Sequence, residues 1–346
     1  MNKRKKMNTD MKVFLVIAAV IVIALGALLY AVTKPKSDLT AVAVLNENVI
    51  NKNEFVYYLT QNIASILQYK SDENMPDEDF LNSPYGTGTL RDMVKDETLN
   101  QTVMIELLLI LAEEEGFSAD NAQIEEEWAN FDKYMGEMAA GYKMEKNEIS
   151  AAIFGIDYKP AEAVYRDYLF TQQFMKSKIE EIEINEEELI AYYEKNRASF
   201  DTAFVSHILV LCPEDATEAE VAEKSALADQ ILEKVNNGDD FAELVKEYSE
   251  DASSVEKAGL YEIKQDGQML KEFEDWAFEN ETGATGVIRT YYGFHIMRQD
   301  GGENSLEANR EDIEWSFRYE QYDSVLKGLL ESGKYTIEKK EEYDKL

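Results

Sequence analysis

The period of the apolar pattern switches back and forth along this 346-residue chain, and those switches constrain the fold more than any single motif. From Asn51 to Phe200, apart from a polar stretch over Ser71–Gly88, apolar residues recur at helical spacing. Phe204 to Cys212 is then a nearly continuous apolar run of strand length, and helical patterning resumes after it. Two further short strand-like segments follow, Gly286–Thr290 and Phe294–Arg298, and Gly301-Gly302 reads as the end of this unit. The last segment, Leu306 to Leu330, is helical again, with Ile313, Phe317, Tyr322, Leu326, Leu329 and Leu330 on or near one stripe. That stripe needs a cover. The simplest one is the earlier helical region, which makes 201–300 an insertion into an all-α domain and the whole chain α+β.

The N-terminus has a separate character. Lys3, Arg4, Lys5, Lys6 and Lys12 precede a run without charge from Val13 to Val32, long enough to cross a hydrocarbon core of about 30 Å. A basic flank before such a run predicts a cytoplasmic tail over 1–12, a transmembrane anchor over 13–33 and a linker over 34–40, with the rest outside the cell membrane. A cleaved signal peptide is the competing reading; the run exceeds the usual apolar signal core, and Leu29-Tyr30-Ala31 is a poor cleavage site. No cysteine follows the run to carry a lipid. The single cysteine, Cys212, excludes an intramolecular disulfide framework and reads as a buried strand end, compatible with a Gram-positive-type cell surface.

Charge shifts sharply after the anchor. Beyond residue 36 there are 28 Lys and Arg against 68 Asp and Glu, a net charge of −40. Such a surface repels nucleic acid. Most of these carboxylates read as solvated helix faces, and no EF-hand spacing appears among them.

Local signals place the elements. Ala41–Leu45 is a short strand candidate, and Asn51-Lys-Asn-Glu54 resembles a capping box opening a helix through Phe55, Tyr58, Leu59, Ile63 and Leu67. The polar stretch from Ser71 to Gly88 reads as a loop. Helices fit 90–117, 122–142, 146–154 and 161–182, and the Met104–Ala112 run is too short, and interrupted by Glu106, to span a membrane. Asn185–Glu188, Thr217–Glu220 and Asp240–Glu243 are further helix starts, with a loop after Tyr248 and a short helix around Phe273–Phe278.

Only two histidines occur, His207 and His295, one in each of two strand-like segments. An imidazole suits proton-sharing hydrogen bonds near neutral pH; each alone also fits a hydrogen-bonded core residue. The surrounding motifs decide between these. Ser206-His-Ile-Leu-Val210, Asp240-Phe-Ala-Glu-Leu-Val-Lys-Glu-Tyr-Ser-Glu-Asp251 with Ser253-Ser254, Gly267-Gln-Met-Leu-Lys-Glu-Phe273 and Tyr292-Gly-Phe-His-Ile296 together resemble, in order and spacing, a parvulin-type (PpiC, or rotamase) peptidyl-prolyl isomerase domain. The flanking halves, with a less specific opening over Val42–Phe55, look like the chaperone parts of PrsA- and SurA-like foldases. The resemblance implies a parvulin domain over 201–300, a small antiparallel sheet with helices around it. That domain would sit within a helical chaperone domain made of 41–200 and 301–346.

Residue by residue, the resemblance implies a catalytic set of His207, His295, Asp251 and Thr290. It implies an apolar proline pocket of Met269 and Phe273, with Leu260 as third wall, and places Phe278 in the core. Taken alone, Asp251 also reads as a capping aspartate, Thr290 as an ordinary strand residue, and Met269 with Phe273 as core residues at helical spacing. The resemblance calls for no cofactor and no metal. Its partners would be unfolded or newly exported polypeptides containing X-Pro, the membrane through the N-terminal helix, and no nucleic acid; a homodimer is left open.

The chain departs from the family where a glycine-rich turn is represented only by Ala258-Gly-Leu-Tyr261, and where Ile263 stands at a common aromatic position. Tyr291 and Tyr292 crowd the turn before Gly293. Phosphoproline-directed parvulins carry a basic loop after the first strand; here Cys212-Pro-Glu-Asp-Ala-Thr-Glu-Ala-Glu220 holds four carboxylates and no cation, so non-phosphorylated X-Pro is expected. The expected function is a membrane-anchored, extracytoplasmic isomerase and foldase. A holdase with a weak or inactive parvulin domain is the alternative, and a scaffolding protein a third reading.

Overall fold

The computed structural model describes residues 38–346. They divide into two units, one running to Glu181 and resuming at Tyr322–Leu346, the other being Ile182–Gln321. The segment expected to span the membrane, 13–33, lies outside the described residues, and among the described residues no helix is long and apolar enough to cross a bilayer.

The first unit starts with β1 (Ala41–Leu45) turning through Asn46, at φ +55°, into antiparallel β2 (Asn48–Asn51). Asparagine visits this left-handed region more readily than most residues. Asn51 caps the helix Lys52–Leu67 by accepting from the Glu54 N–H at 3.2 Å, as its spacing predicts. Helices Leu90–Glu114, Asn121–Tyr142, Lys146–Phe154 and Tyr158–Glu180 follow. They close on a core that includes Tyr57, Phe131, Met135, Ile149 and Phe154. The stretch 71–88, read as a loop, contains the short helix Asp77–Leu81 and a two-residue hairpin of β3 (Pro84–Tyr85) and β4 (Gly88–Thr89).

The second unit holds a four-stranded antiparallel sheet in the order β6-β5-β8-β7: β5 (Thr202–Leu211), β6 (Leu260–Lys264), β7 (Thr285–Arg289) and β8 (Gly293–Glu303). Side chains alternate across a strand. Ile208, Val210, Phe294 and Ile296 therefore pack on one face, against Ala228, Ile231, Leu244 and Val245 of helices Glu218–Asn236 and Phe241–Tyr248. Val205 and Met297 pack on the other, against Phe273 and Ala277 of the short helix Lys271–Glu279.

Two expectations are corrected here. β6 lies where a loop was expected, because it is a short edge strand with only Ile263 buried and so shows no apolar run. β8 continues through Gly301-Gly302 instead of stopping there. Gly302 lies against β5, where a Cβ would come within 2.3 Å of the Thr202 carbonyl oxygen, so glycine marks close strand approach and not an end.

The C-terminal stripe is covered in parts. Ile313 and Phe317, in the helix Arg310–Glu331, pack on Leu189 and Tyr193 of the helix Glu186–Phe200. The second unit thus extends beyond 201–300 at both ends. Tyr322 and Leu326 are buried in the first unit, which the chain completes with β9 (Ile337–Lys339) pairing antiparallel to β1. The domain expected to be all-α therefore carries a three-stranded sheet, β2-β1-β9, made from both ends of the described chain.

Candidate active site

The register of β5 against β8 brings together histidines 88 positions apart. His207 pairs with Met297 and Leu209 with His295, so the imidazoles are diagonal neighbours on one face of the sheet. Both are 4% exposed, and their rings stack at 5.2 Å between centroids. His207 Nδ1 lies 3.0 Å from His295 Nδ1, His207 Nε2 lies 2.9 Å from Asp251 Oδ2, and His295 Nε2 lies 2.8 Å from Thr290 Oγ1.

Backbone geometry positions the two outer members. The β5–β6 pairing ends at Ser206 opposite Leu260, the first residue of β6, and further along β5 a segment containing Ser249 and Glu250 takes over that edge: the Glu250 N–H donates to the Leu209 carbonyl at 2.8 Å, and Ser249 Oγ accepts from the Leu209 N–H at 3.2 Å. Asp251 follows directly and turns inward. Thr290 and Gly293 close the hairpin between β7 and β8 with two reciprocal backbone bonds, leaving Tyr291 and Tyr292 at its tip. The shortened turn keeps its course because Ala258 adopts φ +57° and Gly259 φ +80°. The Gly259 carbonyl then accepts from the His207 N–H at 3.0 Å, so tightly that a Cβ on Gly259 would stand 2.3 Å from the His207 oxygen.

Proton directions follow from electrostatics. Partial burial alone would raise the Asp251 carboxyl, but hydrogen bonds from Ser254, Ser253, His207 and Tyr261 outweigh it and hold the group well below the usual carboxylate range. Burial lowers His207, partly opposed by Asp251. Burial, with repulsion from His207, pushes His295 down to about 4. Near neutral pH both imidazoles are therefore uncharged beside an ionised carboxylate that can only accept. His207 Nε2–H then donates to Asp251, leaving its Nδ1 to accept. His295 Nδ1–H donates to that nitrogen, and the Thr290 hydroxyl donates to His295 Nε2. Thr290 Oγ1 in turn accepts the Tyr292 N–H at 3.2 Å. One carboxylate sets the tautomers of the whole chain, and all four imidazole nitrogens are engaged.

Above the histidines opens a cleft of about 490 Å³, a size suited to a short peptide segment. Phe273 stands edge-on to both imidazoles, at 5.2 and 5.6 Å. Met269 and Leu270 line the same cleft, but both precede the helix Lys271–Glu279, so a turn and not helical periodicity brings Met269 beside Phe273. Tyr291 and Tyr292 form the rim, their rings 4.1 Å apart and each about half exposed. Phe278 packs in the core beneath.

His207, His295, Asp251, Thr290, Met269 and Phe273 are thus brought together; Leu260 is not. It is 42% exposed on β6 and outside the cleft lining, because the neighbouring Tyr261 takes the inward position of the alternation. The Tyr261 hydroxyl donates to Asp251 Oδ2 at 2.9 Å and its ring meets His207 edge-on at 5.3 Å. Tyr261 is not among the residues expected from the sequence; its place two residues before the buried Ile263 assigns it to this face only once β6 is known. Ser253, which donates to Asp251 Oδ1 at 2.7 Å, and Ser254, 3.4 Å from His207 Nε2, were visible only as part of a motif.

A four-stranded antiparallel sheet carrying buried, hydrogen-bonded histidines under an apolar cleft defines a parvulin-type isomerase centre. Residues 189–301 match the family described as the PPIC-type PPIASE domain. The foldase protein PrsA of Caldanaerobacter subterraneus subsp. tengcongensis is 27% identical over 263 residues, 75% of this chain and 73% of that protein. PrsA of Halalkalibacterium halodurans is 27% identical over 259 residues, 73% and 69% of the two chains. PrsA 3 of Bacillus cereus reaches 41% identity over 95 residues, 27% and 29% of the two chains. Residues 189–301 are thus a parvulin-type peptidyl-prolyl isomerase domain, in a chain similar to PrsA foldases over about three quarters of its length.

Proposed function

We propose that this chain is a membrane-anchored, extracytoplasmic foldase that isomerises non-phosphorylated X-Pro bonds in newly exported polypeptides. The observation that carries the isomerase reading is the closed chain Asp251–His207–His295–Thr290 beneath an open apolar cleft. Rotation about a peptide bond costs about 18–20 kcal/mol because twisting destroys amide resonance, and uncatalysed prolyl exchange takes roughly 10–100 s. Catalysis requires only tighter binding of the twisted amide than of the planar forms. With every imidazole nitrogen engaged, the histidines supply no nucleophile or free proton donor in this arrangement. They form a rigid, uncharged floor whose outer end is an anion. Met269, Leu270 and Phe273 offer an apolar seat for the prolyl ring. Moving the amide from water into such a seat disfavours the charge-separated resonance form, and the Asp251 carboxylate opposes negative charge on the carbonyl oxygen, so both effects favour the twisted state.

The substrate class follows from charge. Glu250 and Asp251 line the cleft and no lysine or arginine does, although Lys224 comes to 3.9 Å of Glu250 from outside the lining; Glu214, Asp215, Glu218 and Glu220 follow β5. A phosphate before the proline would be repelled. The anchor is read from the basic flank and the apolar run ahead of the described residues.

A protease-coupled isomerisation assay on Ala-X-Pro-Phe peptides tests this reading. A rate above background, lowered about tenfold or more by His207→Ala with the fold intact by circular dichroism, is expected. A phosphoserine peptide should turn over more slowly than its serine counterpart. No rate above background, with undiminished suppression of client aggregation, would establish the holdase reading instead.

A further inference from the structure

A second cavity, of about 580 Å³, lies within the first unit among helices Lys52–Leu67, Leu90–Glu114 and Tyr158–Glu180. Glu54 and Tyr58 enter it one helical turn apart, Glu106 comes from the second helix and Asp167 from the third. Ile105, Leu109 and Val164 supply apolar wall. Tyr58 is 6% exposed, and its hydroxyl is buried without a hydrogen-bond partner; Glu54 Oε1 is buried without one as well. None of the three carboxylates takes part in an ion pair among the described residues. Lys159, on the rim, points to solvent with its side chain 86% exposed and pairs with Glu162 at 2.8 Å.

Unpartnered buried polar atoms are rare because each forfeits its hydration. Glu54, Glu106 and Asp167 add mutual repulsion with no cation paired to them; Asp157 and Lys159 also line the cavity, and Lys159 is engaged by Glu162. Burial, then repulsion from Glu106 and Asp167, pushes Glu54 up to about 8; burial with repulsion from Asp167 raises Glu106, and burial raises Asp167. The arrangement is unfavourable in isolation and complementary to a cation with an apolar stem. Among the described residues no cluster of carboxylates has metal-binding geometry.

We propose that this cavity is a polypeptide-binding site that takes a lysine or arginine side chain flanked by apolar residues. The methylene stem would lie on Ile105, Leu109 and Val164. The charged head would donate to Glu54 Oε1 and to Glu106, and give the Tyr58 hydroxyl a partner. The inference rests on the reading of the chain as a polypeptide-binding foldase, but it uses none of the residues of the isomerase cleft.

The test is fluorescence anisotropy of the full chain with labelled, proline-free peptides of alternating leucine and arginine, compared with the same peptides carrying neutral citrulline for arginine. The arginine peptide is expected to bind about tenfold more tightly. Glu106→Gln, and separately Glu54→Gln with its fold checked by circular dichroism, should erase that preference while leaving the rate on a prolyl tetrapeptide unchanged. Equal affinity for both peptides would overturn the proposal, and that comparison needs no variant. A preference that survives both substitutions would also overturn it. So would displacement of the peptide by micromolar Ca²⁺, which would reassign the carboxylates to a metal. Failure of every peptide to bind would count against the foldase reading itself.

Discussion

The two cavities treat buried polar groups in opposite ways. In the isomerase unit the carboxylate, both imidazoles and the threonine hydroxyl satisfy one another in a single directed chain. In the helical unit the Tyr58 hydroxyl and Glu54 Oε1 find no partner at all. A satisfied network is rigid and makes one geometry available at every encounter, which suits the recognition of a short-lived twisted bond. An unsatisfied pocket is completed only by what enters it, which suits capture. The difference shows that burial alone does not identify a working site. What matters is whether the polar atoms are closed on themselves or left open toward a cavity.

That contrast can be broken at several points, beginning with the largest expected effect. Gly259→Ala would force a Cβ to 2.3 Å from the His207 carbonyl at φ +80°. A loss of about 3 kcal/mol or more is expected in the unfolding of the isomerase unit, measured by calorimetry. Acid acts next. His295 titrates near 4 in the folded chain and near 6.5 when unfolded, so between those values the unfolded chain binds a proton that the folded one does not. Stability from this group is fully present above pH 6.5 and falls as pH drops toward 4, by about 2–3 kcal/mol. Isomerase activity should fall as pH drops toward 4 and the chain's direction is lost; denaturant midpoints and rates across that range check both.

A sharper comparison uses two removals of a hydroxyl. Thr290→Val deletes the donor to buried His295 Nε2 and should destabilise by about 1–3 kcal/mol. Tyr58→Phe deletes a hydroxyl that has no partner and should be neutral or stabilise by about 1 kcal/mol. Opposite signs in denaturant melts support the contrast, and equal signs break it. The smallest effect is expected from Ala258→Gly, which relieves a left-handed alanine at φ +57° and should stabilise by about 0.5–1 kcal/mol, read as a rise in Tm.

Much of this was legible before the structure, for identifiable reasons. Asn51, Thr217 and Asp240 announced helix starts because a side-chain cap is a local device. The sheet face of the histidines was legible through motif order, since β5 and β8 are long and apolar. Of the edge strands, β7 was legible, but β6 and β9 were not: they bury almost nothing, so their pairing is decided by partners far away in sequence. The same cause misplaced Leu260 and hid Tyr261, because without a strand there is no alternation to count. Glu106 was visible as an interruption in an apolar run, and Glu54 as part of a cap. Nothing local reveals that three separate helices bring them into one cavity.

The central claim is the direction of the hydrogen-bond chain, and ¹⁵N NMR of the two imidazoles at pH 7 reads it directly. Both rings are expected to be neutral, with His207 protonated at Nε2 and His295 at Nδ1. An imidazolium at either position, or the reversed tautomers, would contradict the account.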